Sequence, residues 1–248
     1  MIEKLVNKIE INSDTVLLAG DFTRFLLLNK MDMQSIHKFL DLMQKKVKNI
    51  LIPTYNWDFC KGKTFDIKNT PSQTGILGKI ALSRDDFKRT KHPVYSFAVW
   101  GEDGDYLVNL DNVESFDKNS PFGYLHRKNA QMVIFDKNLQ HSFTFVHYVE
   151  YMNKELVDYR YVKFFEADYV DENGNKSRRK YSMFVRDLDK NVQTFLEDLE
   201  RLFVEKNIMH LKTVEGITVR NINLSKAYDF IKNDIKNGAK HIHKKGKT

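Results

Sequence analysis

The chain has 248 residues, is 42% hydrophobic and 29% charged, and carries 40 Lys and Arg against 33 Asp and Glu, a formal net charge of +7. With only 4 prolines and 11 glycines, this composition excludes a disordered or collagen-like chain and leaves enough apolar residue for a sizeable core. A single cysteine, Cys60, excludes an internal disulfide framework and a cysteine zinc cage, and no apolar run approaches the roughly 18 residues that a transmembrane helix needs.

In chain order, Ile2, Leu5, Val6 and Ile9 recur at helical spacing. Glu3 and Glu10 among them are unlike a signal peptide, so a cytoplasmic protein without a membrane partner is expected. Residues 15–19 read as a buried strand that ends at Gly20-Asp21-Phe22-Thr23. A strand, a small-residue turn and a following helix often bind ligands, because helix N-terminal amides attract anions. Met33, Ile36, Phe39, Leu40, Met43 and Val47 share one face of the next helix. A short strand then stops at Pro53, which completes a crossover with a parallel pair of strands.

Residues 55–93 are irregular and polar except for one predicted helix, 75–82, entered through Thr70-Pro71-Ser72, with Thr70 or Ser72 as its cap. Residues 95–100 return to strand composition and are turned by Gly101-Glu102-Asp103-Gly104. Ser120-Pro121-Phe122-Gly123 opens a short helix to His126, residues 132–135 read as strand, and a helix follows near 144–151. Residues 159–169 and 179–187 flank Asp171-Glu172-Asn173-Gly174-Asn175, and Asn-Gly between two such runs signals a hairpin. Two amphipathic helices are expected after it. One carries Val192, Phe195, Leu196, Leu199, Leu202 and Phe203 on a single face, and the other runs from Leu224 to about residue 235. Residues 238–248, rich in Lys and His, read as a basic, frayed end. Without repeats or linkers, residues 1–248 read as one α/β domain with a mixed central sheet, flanking helices and an antiparallel hairpin. No P-loop and no Gly-x-Gly-x-x-Gly motif is present.

The net positive charge invites a nucleic-acid partner, but the basic charges are mostly interspersed with acids, and a mild basic surface also suits a phosphorylated small molecule or cofactor; charge alone does not decide, and no nucleic-acid partner is expected. On a helix, Thr144, His147 and Glu150 fall at successive spacings of three and share a face. A carboxylate one turn from an imidazole can orient it as a base, and a hydroxyl one turn before can donate to a developing oxyanion. The same spacing also fits a core histidine beside a solvated acid. A metal site is not expected, since no second ligand pair of this form exists, and Cys60 beside Phe59 reads as inert. Arg84, Arg89, Lys91 and His92 form a cationic entrance to the strand at 95–100, able to hold phosphates or simply to be solvated.

Taken in order, Thr70-Pro71-Ser72-Gln73-Thr74-Gly75, Arg89-Thr90-Lys91-His92-Pro93 with Ser96 and Gly101, Ser120-Pro121-Phe122-Gly123 and Thr144-x-x-His147-x-x-Glu150 resemble the aminoglycoside 3-N-acetyltransferase family. Pro53-Thr54-Tyr55, Phe65-Asp66 and the Tyr159-Arg160-Tyr161 run fit it as well, so the resemblance covers roughly residues 1–235. It implies an α/β enzyme distinct from the GNAT fold, with acetyl-CoA as co-substrate and an amino-sugar-like acceptor, an aminoglycoside or a surface-polysaccharide precursor. The acceptor amine would attack the thioester directly, with His147 as base, Glu150 orienting it and Thr144 on the thioester oxygen. For CoA the resemblance points to Asp21, Phe22, Thr23, Ser72, Arg89, His92 and Ser96, with Arg89 on phosphate. Apart from the resemblance, the irregular segment 55–66 offers Tyr55, Asp58 and Asp66 as candidates for holding a cationic or hydroxylated acceptor, its acids otherwise being simply solvated. The family's histidine after the first strand is absent here, where Leu18-Ala19-Gly20-Asp21 stands, and Asp136 replaces a usual glycine. That departure motivates an alternative, a family member that binds CoA or sugar without turnover.

Overall fold

Four consecutive apolar residues, Val16, Leu17, Leu18 and Ala19, are all buried because β1 (Thr15–Gly20) runs through the middle of a seven-stranded sheet. The computed structural model describes residues 1–245. Helix α1 (Ile2–Lys8) precedes β1, and α2 (Thr23–Leu28) and α3 (Gln34–Gln44) cross over to β2 (Asn49–Pro53), which lies parallel to β1 with Thr15 opposite Asn49. The crossover expected from the apolar pattern is therefore the one observed. On β1 the side chains alternate between two cores, as the period of a strand requires. Val16 and Leu18 face α1 and α3, where Phe39 packs against Phe22 and Phe135 at 4.8 and 5.3 Å. Leu17 and Ala19 face the opposite layer. Burying each large apolar side chain contributes about 1.5–3 kcal/mol, so the stripe on α3 alone, Ile36, Phe39, Leu40 and Met43, fixes that helix to the sheet.

Beyond β2 the chain forms β3 (Phe65–Asp66), α4 (Gly75–Leu82), β4 (Lys88–Arg89) and β5 (Phe97–Gly101). The cap of α4 is Thr74 rather than Thr70 or Ser72, and its hydroxyl serves Pro53 O and the amide of Tyr55 instead of the helix end. Gly104, read as the last residue of a turn, instead opens α5 (Gly104–Asn109), a helix the sequence reading did not assign. Helix α6 (Pro121–Arg127) starts as expected, with Pro121 in its first turn and the Ser120 hydroxyl accepting from the Gly123 amide at 3.3 Å. Strand β6 (Gln131–Phe135) then lies parallel to β1 on its other side. Asp136 sits at φ 51°, a left-handed conformation that Asp tolerates better than most residues.

Helices α7 (Leu139–Ser142) and α8 (Phe145–Met152) lead into the hairpin of β7 (Arg160–Val170) and β8 (Lys176–Arg186). Asp171 closes it by accepting the amides of Asn173 and Asn175, and Gly174 supplies a φ of 83°. This hairpin adds β3 at one edge and makes a second, three-stranded sheet.

The C-terminal part departs most from the sequence reading. Val192 and Phe195 are not on a helix: Val192 lies in β9 (Val192–Thr194), and α9 spans only Glu197–Glu205. An unexpected hairpin, β10 (Met209–Val214) and β11 (Ile217–Asn223), turns at Glu215-Gly216 and extends the large sheet beyond β6. Helix α10 (Leu224–Lys236) follows as predicted, capped by Asn223. The end is not frayed within the described residues. Strand β12 (His243–Lys245) pairs with β9, and Ile242 is fully buried. Residues 246–248 of the expected frayed segment lie outside the described residues. The large sheet has the order β10-β11-β6-β1-β2-β5-β4, parallel in its three central strands and antiparallel outside them. Among the described residues no helix is long and apolar enough to cross a membrane.

Candidate active site

Phe145, Val146, Tyr148 and Val149 bury one side of α8 against the core, which leaves the face carrying Thr144, His147 and Glu150 to be set by polar contacts. His147 Nδ1 lies 2.6 Å from Glu150 Oε2, and the Glu150 side chain is fully buried. Arg160 Nε, from the start of β7, stands 2.9 Å from the same oxygen, and His243 Nε2, from β12, stands 2.7 Å from Oε1. Burial pushes the Glu150 carboxyl up, but Arg160 and then His147 and His243 outweigh it and hold the carboxyl below its ordinary value. An ionised carboxylate only accepts, so His147 donates from Nδ1 and keeps its lone pair on Nε2. Burial, reinforced by the Arg160 charge, holds the His147 imidazole below its ordinary value despite Glu150, so the ring is neutral at pH 7. The ring meets Phe116 edge-on at 5.8 Å and keeps 22% of its side chain exposed. A neutral, oriented and accessible imidazole is what a general base requires. Two imidazoles and one carboxylate do not make a metal cage here, and no group of His, Cys, Asp and Glu among the described residues could hold a metal ion.

Thr144 caps α8 without bonding its end, which leaves its hydroxyl to the Tyr55 phenol. It lines a cleft of about 540 Å³ between the C-terminal ends of β1 and β2, the start of α4 and the segment after β6. Ligands in α/β folds favour that end of the strands. Asp21, Thr23 and Tyr55 share the cleft wall with Thr144, while His147 stands one turn further along α8 and is not on that wall. The Tyr55 phenol meets the Thr144 hydroxyl, and burial keeps it protonated well above its ordinary range. Its ring is wedged between Tyr95 and Phe97 at 4.8 and 5.4 Å. The Asp21 carboxylate accepts from the Thr23 amide at 2.8 Å and faces Lys137 at 3.5 Å.

Several residues assigned by resemblance are placed elsewhere. The Phe22 side chain is buried between Phe39 and Phe135, so at most its backbone could face a ligand. Arg89 is buried and turned inward. Its Nε donates to the Ser96 hydroxyl at 3.0 Å, one terminal nitrogen to Thr54 O at 2.8 Å and the other to Thr70 O, while its guanidinium lies over the Phe65 ring. Each of its three nitrogens donates once to the protein, and Arg89 does not line the cleft. Ser96 is likewise engaged with Arg89 and Thr54 O, and the Ser72 hydroxyl with Thr74. His92 is fully internal. Its Nδ1 accepts the amides of Val94 and Tyr95, its Nε2 meets Ser115, and burial holds it at about 4, neutral and structural. Asp58 is paired with Lys61 and Lys63, and Asp66 caps its own turn by accepting from Lys68 and Asn69. Neither acid lies on the cleft. The sequence reading did not single out Arg160 as a partner of Glu150, nor His243, Lys137 and Trp57, the last two of which line the cleft.

A family model described as aminoglycoside 3-N-acetyltransferase matches residues 38–236. The chain belongs to the aminoglycoside 3-N-acetyltransferase family. This member is similar to an SPbeta prophage-derived aminoglycoside N(3')-acetyltransferase-like protein, YokD, of Bacillus subtilis (strain 168), with 25% identity over 203 residues, 78% of this chain and 71% of that one. The crystal structure of YokD from Bacillus subtilis superposes with a TM-score of 0.74 at 19% identity, covering 96% of this chain and 93% of that one. The aminoglycoside acetyltransferase AAC(3)-Xa gives 0.77 at 15% identity, covering 95% and 91%. A binary complex of AAC-IIIb with CoASH gives 0.74 at 11% identity, covering 95% and 94%. Membership of the aminoglycoside 3-N-acetyltransferase family makes the chain an acyltransferase, and the mixed α/β architecture expected of such an enzyme is the one observed.

Proposed function

We propose that this family member transfers the acetyl group of acetyl-CoA to a primary amine of an amino-sugar-like acceptor by direct attack, with His147 as general base. The observation that carries this reading is the neutral His147 ring with Nδ1 tied to a buried, ionised Glu150 and, among the described residues, no hydrogen bond at Nε2. Acetyl-CoA is the co-substrate and supplies an acyl carbon already activated as a thioester. His147 Nε2 takes the proton that the amine loses as its bond to that carbon forms, and can return it to the departing sulfur. Glu150 keeps the imidazole in the right tautomer and stabilises its charge once protonated. Thr144 presents a hydroxyl, backed by the Tyr55 phenol, that can donate to the carbonyl oxygen as negative charge builds there.

The cleft suits the donor in size and chemistry. It has bare backbone at Gly75, the uncapped start of α4, and the Lys137 ammonium at its rim for phosphate oxygens. The amine acceptor is taken from the family; an aminoglycoside and a surface-polysaccharide precursor both carry the required group. The test is thiol release from acetyl-CoA against a panel of aminoglycosides, nucleotide-linked amino sugars and simple amines. Release is expected only with an amine that fits, and loss of it in His147→Ala. Unchanged single-turnover acetylation by His147→Ala would overturn the assignment of the base.

A further inference from the structure

Glu150 has two carboxylate oxygens, and the reaction described above uses one of them. Oε2 faces His147 and Arg160, while Oε1 is met by Nε2 of His243, which arrives from 93 residues further along the chain. We propose that His243 is a positioning residue for acetyl transfer: its Nε2–H fixes the rotation of the Glu150 carboxylate and draws charge from it, so that His147 stays a neutral base. This rests on the reading of His147 as that base.

The direction of the hydrogen bond follows from its acceptor. Glu150 is ionised and can only accept, so the proton of the neutral His243 ring sits on Nε2. Its Nδ1 is then a bare acceptor, buried and without a partner among the described residues. Leaving a buried polar atom unsatisfied is costly, and an apolar side chain could fill the same space without that cost. What an apolar residue could not do is donate to Glu150.

The end of the chain does not depend on this contact for its place. Ile242 O accepts the Phe195 amide at 2.9 Å, Ile242 is fully buried, Asp234 accepts the His241 amide at 3.0 Å, and the Lys244 ammonium lies over the Phe195 ring. Removing the His243 ring therefore leaves β12 its other anchors. The charged and titratable groups facing the carboxylate are His147 on α8, Arg160 on β7, Tyr159 just before it, and His243 itself. The Tyr159 ring meets His243 at 4.0 Å, and Asp234 on α10 lies next outward. Without the His243 donor the carboxylate keeps more of its charge for His147, the imidazolium is better stabilised, and the base is more often protonated.

The test is an NMR titration of the imidazole rings in the full chain labelled with ¹⁵N-histidine, with the His147 signals identified by their loss in His147→Ala. In His243→Ala the apparent pKa of His147 should rise by about half a unit to one unit. In His243→Gln, whose amide nitrogen can reach the same position as Nε2, it should return toward the wild-type value. The acid limb of the kcat profile, measured with acetyl-CoA and an aminoglycoside that the wild type acetylates, should move with it, while KM for acetyl-CoA stays put. A His147 that titrates identically in wild type and His243→Ala overturns the proposal, whatever happens to the melting temperature. The titration needs no acceptor, so it stands apart from the proposed function, which fails instead if His147→Ala still transfers acetyl.

Discussion

Arg160 Nε lies 2.9 Å from Glu150 Oε2, with the two side chains 8% and 0% exposed. The terminal nitrogens of the same guanidinium donate to Phe184 O at 3.1 Å and to the Thr194 hydroxyl at 3.0 Å, which ties β7 to β8 and β9 as well as to α8. Arg160→Met should leave a buried carboxylate without its cation and cost about 3–5 kcal/mol, measured by urea unfolding at pH 7. The pH dependence should also reverse. In the wild type the Glu150 carboxyl is held below its ordinary value, so its stabilisation is present above the usual carboxylate range and is lost as pH falls through the lower folded value. Without Arg160, burial dominates and raises the carboxyl, and stability should instead fall as pH rises through that raised value.

The same arrangement places the acid limb of catalysis. Burial and Arg160 hold His147 below the ordinary imidazole value of about 6.5, so kcat should rise with pH through a midpoint under that value and be level at neutrality. His147→Ala should lower kcat by about 10²–10⁴-fold with little change in KM for acetyl-CoA. Glu150→Gln removes the charge that stabilises the imidazolium and should move the midpoint down while lowering kcat. A midpoint that stays fixed in Glu150→Gln would uncouple the two side chains.

Periodicity made the centre of the fold legible. The stripe Ile36, Phe39, Leu40 and Met43, the fully apolar β1 and β2, and the Asn-Gly signal between β7 and β8 each depend on neighbours in sequence. The His147–Glu150 pair was legible for the same reason, since a spacing of three on a helix brings side chains together. Strand β10 was not, because residues 210–213 are all exposed, and β11 was passed over although Ile217, Val219 and Ile222 are buried between less buried neighbours. Val192 and Phe195 matched a helical stripe by coincidence of spacing, and pairing with β12 prevailed over it. At Arg89 the sequence showed a cation beside a strand, but only the folded backbone decides that Thr54 O and Thr70 O take its donors. His243 sits in a run of basic residues that reads as solvated, and its contact with Glu150 exists only in three dimensions.

The inward turn of Arg89 separates stability from donor binding. Arg89→Ala would remove three hydrogen bonds from a charged donor, to Thr54 O, Thr70 O and the Ser96 hydroxyl; Thr54 O and Ser96 keep each other, but at about 1.5–3 kcal/mol for a bond to a charged group the loss should be about 3 kcal/mol or more. Lysine cannot supply three donors in one plane, so Arg89→Lys should recover little of it. Calorimetric affinity for acetyl-CoA, taken well below the melting temperature, should change less than twofold. A large loss of affinity in a protein of unchanged stability would return Arg89 to the phosphates.

Gly78 decides how closely α4 can lie on β2. A Cβ there would stand 2.5 Å from Pro53 O and 2.9 Å from the Ser72 hydroxyl, and the nearer atom is backbone that cannot rotate away. Alanine favours a helix by about 1 kcal/mol over glycine, but forcing a packed helix outward costs about 1–3 kcal/mol. Gly78→Ala should therefore lower the melting temperature by several degrees at about 2–4 °C per kcal/mol. It should also raise KM for acetyl-CoA, because the start of α4 forms one wall of the cleft and moves with the rest of the helix. Gly104→Ala is the matched comparison: nothing lies within 4 Å of its new Cβ, so only the helix preference remains and the melting temperature should hold or rise. If Gly78→Ala melted with Gly104→Ala and bound acetyl-CoA as well, the contact between α4 and β2 would not be what shapes the cleft.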